Sequence, residues 1–324
     1  MNTNYKITNR QHSMSFVYSW LSAIAFFLFS ISGNEMFAQV ANYTFSQSTA
    51  TYTPITGGTV SASGSGLDDT VVSVTLPTAF VYNGTSITTV GFSPNGYLIM
   101  GNATSHGYTP LSSTTSSSGV ISAMGMDMVA SGTTSEQRWE QIGNEIVFQW
   151  KDFKRYNSTA FTDENFSFQI RLNTSTKAIS IVYNGATTVN VSTTRIPQVG
   201  LRGTANTDYN ARRLTTTVPD ASPAWNDTAL ATSNGHNVRF TSTGTCYPAA
   251  GQTFTWVPPV IAIDMSATAI TGIPASNCAN SSVPVSITIT NNGANTIDFS
   301  TNNATVTLNV TGASTQTLTA TVSS

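Results

Sequence analysis

The chain has 324 residues, only 9% of them charged, and a formal net charge of -2 at pH 7. That length admits two domains. No nucleic-acid partner is expected, because there is no basic run and Arg212-Arg213 is the densest cationic spot. Long apolar stripes at the helical period are missing, and Ser, Thr, Asn and Gly dominate, so many short strands joined by polar turns are expected.

The first segment reads as an address. Lys6 and Arg10 form a positive start, and residues 16–31, FVYSWLSAIAFFLFSI, are apolar. About sixteen residues is short for a membrane span, which takes about twenty. Small or polar residues follow, and the bond between Ala38 and Gln39 is the expected cleavage point, giving a signal peptide over 1–38. An uncleaved anchor is the rival reading. No later stretch is apolar enough to cross a membrane, so no membrane insertion is expected after cleavage, and the mature chain is expected to be secreted or at the outer cell surface.

Residues 42–60 read as a first strand and a turn at Gly57-Gly58, and 61–69 as a flexible loop. Residues 71–76 alternate as a strand stopped by Pro77. Residues 87–101 make a hairpin around Ser93-Pro94-Asn95-Gly96, with Pro where a type I turn wants it and Gly where a left-handed residue must follow. Residues 102–118 read as a long loop, and 119–129 as a buried strand ending near Asp127.

The organising stretch is 138–183. In RWEQIGNEIVFQWKDF, Gly143-Asn144 is a two-residue hairpin loop of type II′. Ile142 then faces Glu145, and Trp139 faces Phe148. One face carries Trp139, Ile146, Phe148 and Trp150. The other carries Glu136, Arg138, Glu140, Gln149 and Lys151, with Glu136 opposite Lys151. A second hairpin follows, with Phe166, Phe168, Ile170 and Leu172 on one strand and Ile179, Ile181 and Tyr183 on the next. Pairing Leu172 with Lys177 sets Phe168 opposite Ile181. Two hairpins, each greasy on one face, describe one sheet of a sandwich.

Residues 196–203 give a short strand, 204–235 read as polar and irregular, and 237–241 and 252–257 read as closing strands. Pro258-Pro259 makes a stiff boundary. From Val260 alternation restarts over 261–265, 283–290, 305–310 and 317–322. The expected fold is all-β, an antiparallel β-sandwich over 39–257 followed by an incomplete immunoglobulin-like β-sandwich over 260–324. About sixty-five residues is short for such a module, which runs to about 100, so a truncated module and a longer parent protein are expected.

The order VGFSPNGYLIMG, ISAMGMDM, RWEQIGNEIVFQWKDF, FSFQIRLN, ISIVYNG and QVGLRG resembles the nidogen-type extracellular β-sandwich over about 87–203. The Pro-Phe-Trp that precedes the Asp in that family is absent. Residues 260–324 resemble the bacterial cell-adhesion-related module of immunoglobulin type (CARDB). With the leader, the whole resembles large surface proteins of Gram-negative bacteria with type IX secretion. That resemblance implies O-glycosylation at Asp-Ser/Thr-hydrophobic triplets, here at Thr70 in Asp69-Thr70-Val71 and Thr228 in Asp227-Thr228-Ala229.

Little in the sequence carries chemistry. The expected mature chain keeps two histidines, His106 and His236, both in Gly/Asn-rich loops unsuited to a triad. Glu140 and Glu145 read as a solvated sheet face rather than a glycosidase pair. Asp68-Asp69, Asp127 and Asp163-Glu164 are acidic spots of the kind that can hold Ca²⁺, with solvated loops the plainer reading. No metal, cofactor or catalytic residue is assigned. Trp225 has no obvious sheet face and is the candidate ligand-binding residue, against a plug at the end of the sandwich. Cys246 and Cys278 flank the domain junction, where a disulfide would staple the domains and two separate thiols are the alternative.

The expected function is a non-catalytic surface protein acting in adhesion or as a spacer, with an extracellular glycan or another surface protein as partner. A carbohydrate-binding module and the accessory region of an extracellular hydrolase are the alternatives.

Overall fold

The computed structural model describes residues 3–7, 39–101, 104–156, 164–187, 197–214, 225–236, 238, 247–260, 265–272, 284–291, 293, 297–301, 303–310 and 315–322. Two units separate: Met36–Pro259, and Val260–Ser324 together with the N-terminal residues. The first described strand, β1 (Thr3–Ile7), belongs to the second unit.

The first unit begins with a 3-10 turn at Val40–Asn42 and continues through fifteen strands. These are β2 (Thr44–Thr49), β3 (Thr59–Ser63), β4 (Val72–Tyr82), β5 (Thr85–Ser93), β6 (Tyr97–Met100), β7 (Val120–Gly125), β8 (Met128–Ala130) and β9 (Glu136–Ile142). They continue with β10 (Glu145–Arg155), β11 (Asn165–Asn173), β12 (Ile179–Thr187), β13 (Gln198–Arg202), β14 (Tyr209–Leu214), β15 (Thr228–Leu230) and β16 (Ala250–Val257). One sheet runs β2-β16-β12-β11-β10-β9-β3, with β8 also on β10, and the other runs β15-β14-β13-β7-β6-β5-β4. The all-β, antiparallel sandwich is the expected class.

The first hairpin forms as read. Gly143 takes φ 58° and Asn144 keeps a negative φ, as a type II′ loop requires. The register sets Ile142 against Glu145 and Trp139 against Phe148. Glu136 does face Lys151, but its ion pair is with Arg138, Nε to Oε1 at 2.6 Å on the same strand. In the β5–β6 hairpin, Gly96 takes φ 80° and a Cβ there would lie 2.8 Å from the Met124 carbonyl, so this turn admits only glycine without strain.

Rings from the two sheets meet in the core. Phe92 of β5 lies edge-on to Trp150 of β10, with centroids 4.6 Å apart. Their polar handles reach the opposite sheet's backbone: Trp150 Nε1–H donates to the Ser93 carbonyl at 2.8 Å, and the Tyr183 hydroxyl to the Ala123 carbonyl at 2.8 Å. The sheets are therefore tied by directional bonds as well as by burial.

The outer faces are covered in part. Gln149 and Gln169, placed by alternation on the polar side of the meander, are buried under the strand-free segment 50–57. Gln149 Oε1 accepts the Ile55 N–H at 2.9 Å and Gln169 Nε2 donates to the Thr53 carbonyl at 2.8 Å. On the other sheet, the loop after β6 lays Leu111 against Tyr97, Ile99 and Val120.

Four expectations are corrected. The second hairpin pairs Leu172 with Ile179 and Phe168 with Tyr183, two residues from the expected register. Asn173 closes the loop onto Ala178, and its Oδ1 accepts the Ser175 and Thr176 N–H groups. Residues 61–63 belong to β3, paired with β9. Pro77 does not stop β4; it lies exposed inside an irregularity between Thr75 and Phe80 on the sheet's edge strand, where a missing N–H costs nothing. Residues 204–235 contain β14 and β15. Most of the closing strand expected at 237–241 lies outside the described residues.

The second unit contains β17 (Met265–Thr271), β18 (Val285–Asn291), β19 (Ala304–Val310) and β20 (Gln316–Val322). One sheet runs β1-β18-β17, and β19 pairs with β20. Ile287, Val306, Leu308 and Val322 are buried in its core. Residues 3–7, expected to open the leader, lie antiparallel along β18.

Candidate functional site

Trp225 is fully buried, its ring 5.9 Å from Tyr183 at 79°. An indole so enclosed has no free face for a sugar ring. It lies beside a groove of about 570 Å³ that also touches β2, Asn226, Tyr247 and Gln252. Gln252 is buried there: its Oε1 accepts the Ala249 N–H at 3.3 Å, and among the described residues its Nε2 has no hydrogen-bond partner. The lining residues carry no formal charge, which suits a neutral ligand.

Two acidic spots that are distant in sequence converge. Carboxylate oxygens of Asp68, Asp69 and Asp127 lie within 4.8 Å of one another, the one such group of metal-ligating side chains among the described residues. Asp69 is already engaged, accepting from Asn95 Nδ2 at 3.0 Å and from the Tyr108 hydroxyl at 3.3 Å. Burial, then the Asp69 charge, raise the Asp68 carboxyl above its usual range.

Glu164 and Glu140 both make contacts within the fold. Glu164 is fully buried against Arg155, Oε1 to Nη2 at 2.7 Å, with its carboxylate also accepting from Nε and the Arg155 backbone N–H. Asp163 lies outside the described residues. Glu140 packs over Gly57, where an added Cβ would meet its Oε1 at 2.6 Å.

Both histidines make hydrogen bonds within the fold. His106 is buried, and Arg202 Nη1–H donates to its Nδ1 at 3.0 Å. His236 Nδ1 accepts the Thr232 N–H at 3.2 Å. Cys246 and Cys278 both lie outside the described residues, so the pairing has no geometry to test it. Thr70 is exposed, whereas the Thr228 hydroxyl, within β15, accepts from Arg212 Nε at 3.2 Å.

One cluster has no counterpart in the sequence reading. Asp208, at the end of the β13–β14 turn, faces the 3-10 turn at Val40–Asn42. Its Oδ2 accepts the Val40 N–H at 3.3 Å and its Oδ1 the Ala41 N–H at 3.1 Å. Asn210 donates to the Val40 and Tyr43 carbonyls at 3.2 and 2.8 Å. A turn of the type GTANTD, rich in Asn and Asp, was the available signal, but its partner lies more than 160 residues earlier.

A family model described as NIDO related matches residues 42–258, about two-thirds of the chain. The chain belongs to the NIDO-related family. No curated protein and no solved structure matches it. The NIDO-related match runs from the end of the 3-10 turn to just past β16, so it takes in both sheets and extends beyond the 87–203 stretch on which the sequence resemblance rested. Membership points to an extracellular module.

Proposed function

We propose that the chain is a non-catalytic protein of the secreted space or the outer cell surface, its NIDO-related module serving in adhesion or as a rigid spacer. One observation carries this reading: the side chains best able to do chemistry are spent on bracing the frame. Arg155 and Glu164 neutralise each other in the interior, His106 and Arg202 pin a loop, and the Trp225 indole packs inside. A double sheet covered in part on both outer faces holds its ends at a fixed separation, which is what a spacer or adhesive module supplies. Residues 260–324 are read, on their sequence resemblance, as a cell-adhesion-related module, and the leader as the export signal of a type IX secreted protein.

The test is display of the full chain on cells of its host, with a strain lacking the gene beside it. The reading expects loss of cell–cell or surface attachment in the deletion, restored by the intact chain, and no turnover of glycoside, ester or peptide substrates by purified protein. Turnover abolished by one point substitution would overturn it.

A carbohydrate-binding module is the second reading, favoured by the buried Gln252 amide beside the uncharged groove. A glycan array decides between them. Reproducible binding to a neutral glycan that disappears in Asn226→Ala, an exposed lining residue, favours the second reading over the spacer.

A further inference from the structure

The residues after the expected cleavage point are not a free tail. Gln39 is exposed, yet Val40 is fully buried, and the chain is fixed from that residue onward. The site that fixes it is built. The β13–β14 turn is closed by the Gly203 N–H on the Asp208 carbonyl at 2.7 Å. A Cβ at Gly203 would come within 2.0 Å of Asp208 Oδ2, so glycine leaves room for this carboxylate. Asn83 Nδ2 donates to the same oxygen at 3.2 Å, and the Asn83 N–H donates to the Tyr43 hydroxyl at 3.0 Å.

The charge in this socket is uncompensated. Asp208 is half-buried and accepts three N–H bonds, but among the described residues it forms no ion pair. Cleavage after Ala38 would create a cation beside it. The new α-ammonium would sit on Gln39, one residue before the Val40 nitrogen that touches Oδ2. With Gln39 extended at φ -62° and ψ 137°, consecutive backbone nitrogens are about 3.5 Å apart, which puts the ammonium within about 7 Å of the carboxylate.

We propose that Asp208 is the receptor for the processed N terminus: the socket of Asp208, Asn210, Asn83 and Gly203 seats residues 39–43, and the carboxylate is the counter-charge of the Gln39 α-ammonium. The socket already ties the start of β2 to both sheets in the uncleaved chain, since β2 lies on β16 in one sheet and Asp208 and Asn210 belong to the β13–β14 hairpin of the other; removal of the leader adds the charge that completes it. The inference rests on the export-signal reading in the proposed function.

Two measurements keep the failures apart. N-terminal sequencing of the exported protein tests the leader: a start at Gln39 is expected, and a start elsewhere, or an intact leader, removes the physiological role. Melting of recombinant chain tests the socket independently. Full-length mature chain, residues 39–324 with Gln39→Ser to keep the amine from cyclising with its own side chain, is compared with the same chain carrying Gly-Ser before residue 39. Each is made with Asp208 and with Asp208→Asn. At pH 6, with the amine charged, the extension is expected to lower the melting midpoint of the Asp208 form by about 2–4 °C and to leave the Asp208→Asn form unmoved. At pH 9.5, above the usual α-amino range of about 7.7–8.0, the difference should vanish. Equal midpoints for the two Asp208 forms at pH 6, or an equal loss in the Asp208→Asn pair, would overturn the assignment.

Discussion

Arg202 Nη1 lies 3.0 Å from His106 Nδ1, and both side chains are buried. The other hydrogen-bond partners of this guanidinium are carbonyls, those of Pro110, Thr115 and Thr204 among them. The imidazole must therefore be neutral, accepting at Nδ1 and carrying its proton on Nε2. Burial first, and the Arg202 charge second, hold its pKa down to about 4.

Stability should accordingly fall in mild acid. An unfolded histidine protonates near 6.5, whereas His106 in the fold does so only near 4. Between these values the unfolded chain binds more protons, so the contribution is complete above about pH 6.5 and is lost as pH drops toward 4. With solvent screening at the loop edge allowed for, about 1–2 kcal/mol is at stake. Urea midpoints at pH 7.5 and 4.5 check it: the wild type should lose more on acidification than His106→Gln, and equal losses would contradict the assignment.

The Arg155–Glu164 pair should behave as a buried pair. Glu164→Gln removes the carboxylate charge that faces the buried guanidinium and should cost about 3–5 kcal/mol. The double substitution Arg155→Met, Glu164→Leu should cost less than either single change, because it removes both charges together. Denaturation of all four proteins gives the cycle, and a double variant as unstable as the sum of the singles would refute the pairing.

The segment over Gln149 and Gln169 is a strap held by side-chain amides. Gln149→Leu deprives the Ile55 N–H of its acceptor and should cost about 1–3 kcal/mol. It should also make 50–57 the first site of limited proteolysis, read by mass spectrometry, while the wild type is cut elsewhere.

Gly96→Ala should cost about 1–3 kcal/mol, from the strained φ and the close Met124 carbonyl together. Thermal melts check this, and an unchanged midpoint would mean that the turn is looser than its hydrogen bonds imply.

Much of the frame was legible because it is local. A two-residue loop fixes a register, so Gly143-Asn144 alone set Trp139 against Phe148. The second hairpin slipped because a shift of two keeps every side chain on its face, and alternation cannot see it; the Asn173 side chain that closes the loop decides the register instead. Strand β14 was hidden by its charges: Arg212 lies in a strand because its guanidinium covers the Phe45 ring at 3.7 Å. Pro77 misled because a sequence does not say which strand is the edge. The candidate sites were less legible still. Asp68-Asp69 meets Asp127, and His106 meets Arg202, across long stretches of chain with no shared motif, and Trp225 looks exposed until the Tyr183 ring is placed beside it.

Hydrogen exchange of the mature chain, followed by mass spectrometry, tests the central claim most directly: that the first unit is one braced frame, with two sheets tied through Trp150, Tyr183 and the outer straps. The account predicts that peptides from β10–β12 and from β13–β14 exchange together, through a single opening with the free energy of global unfolding. Exchange of either sheet by itself at much lower free energy, with the other still protected, would contradict it.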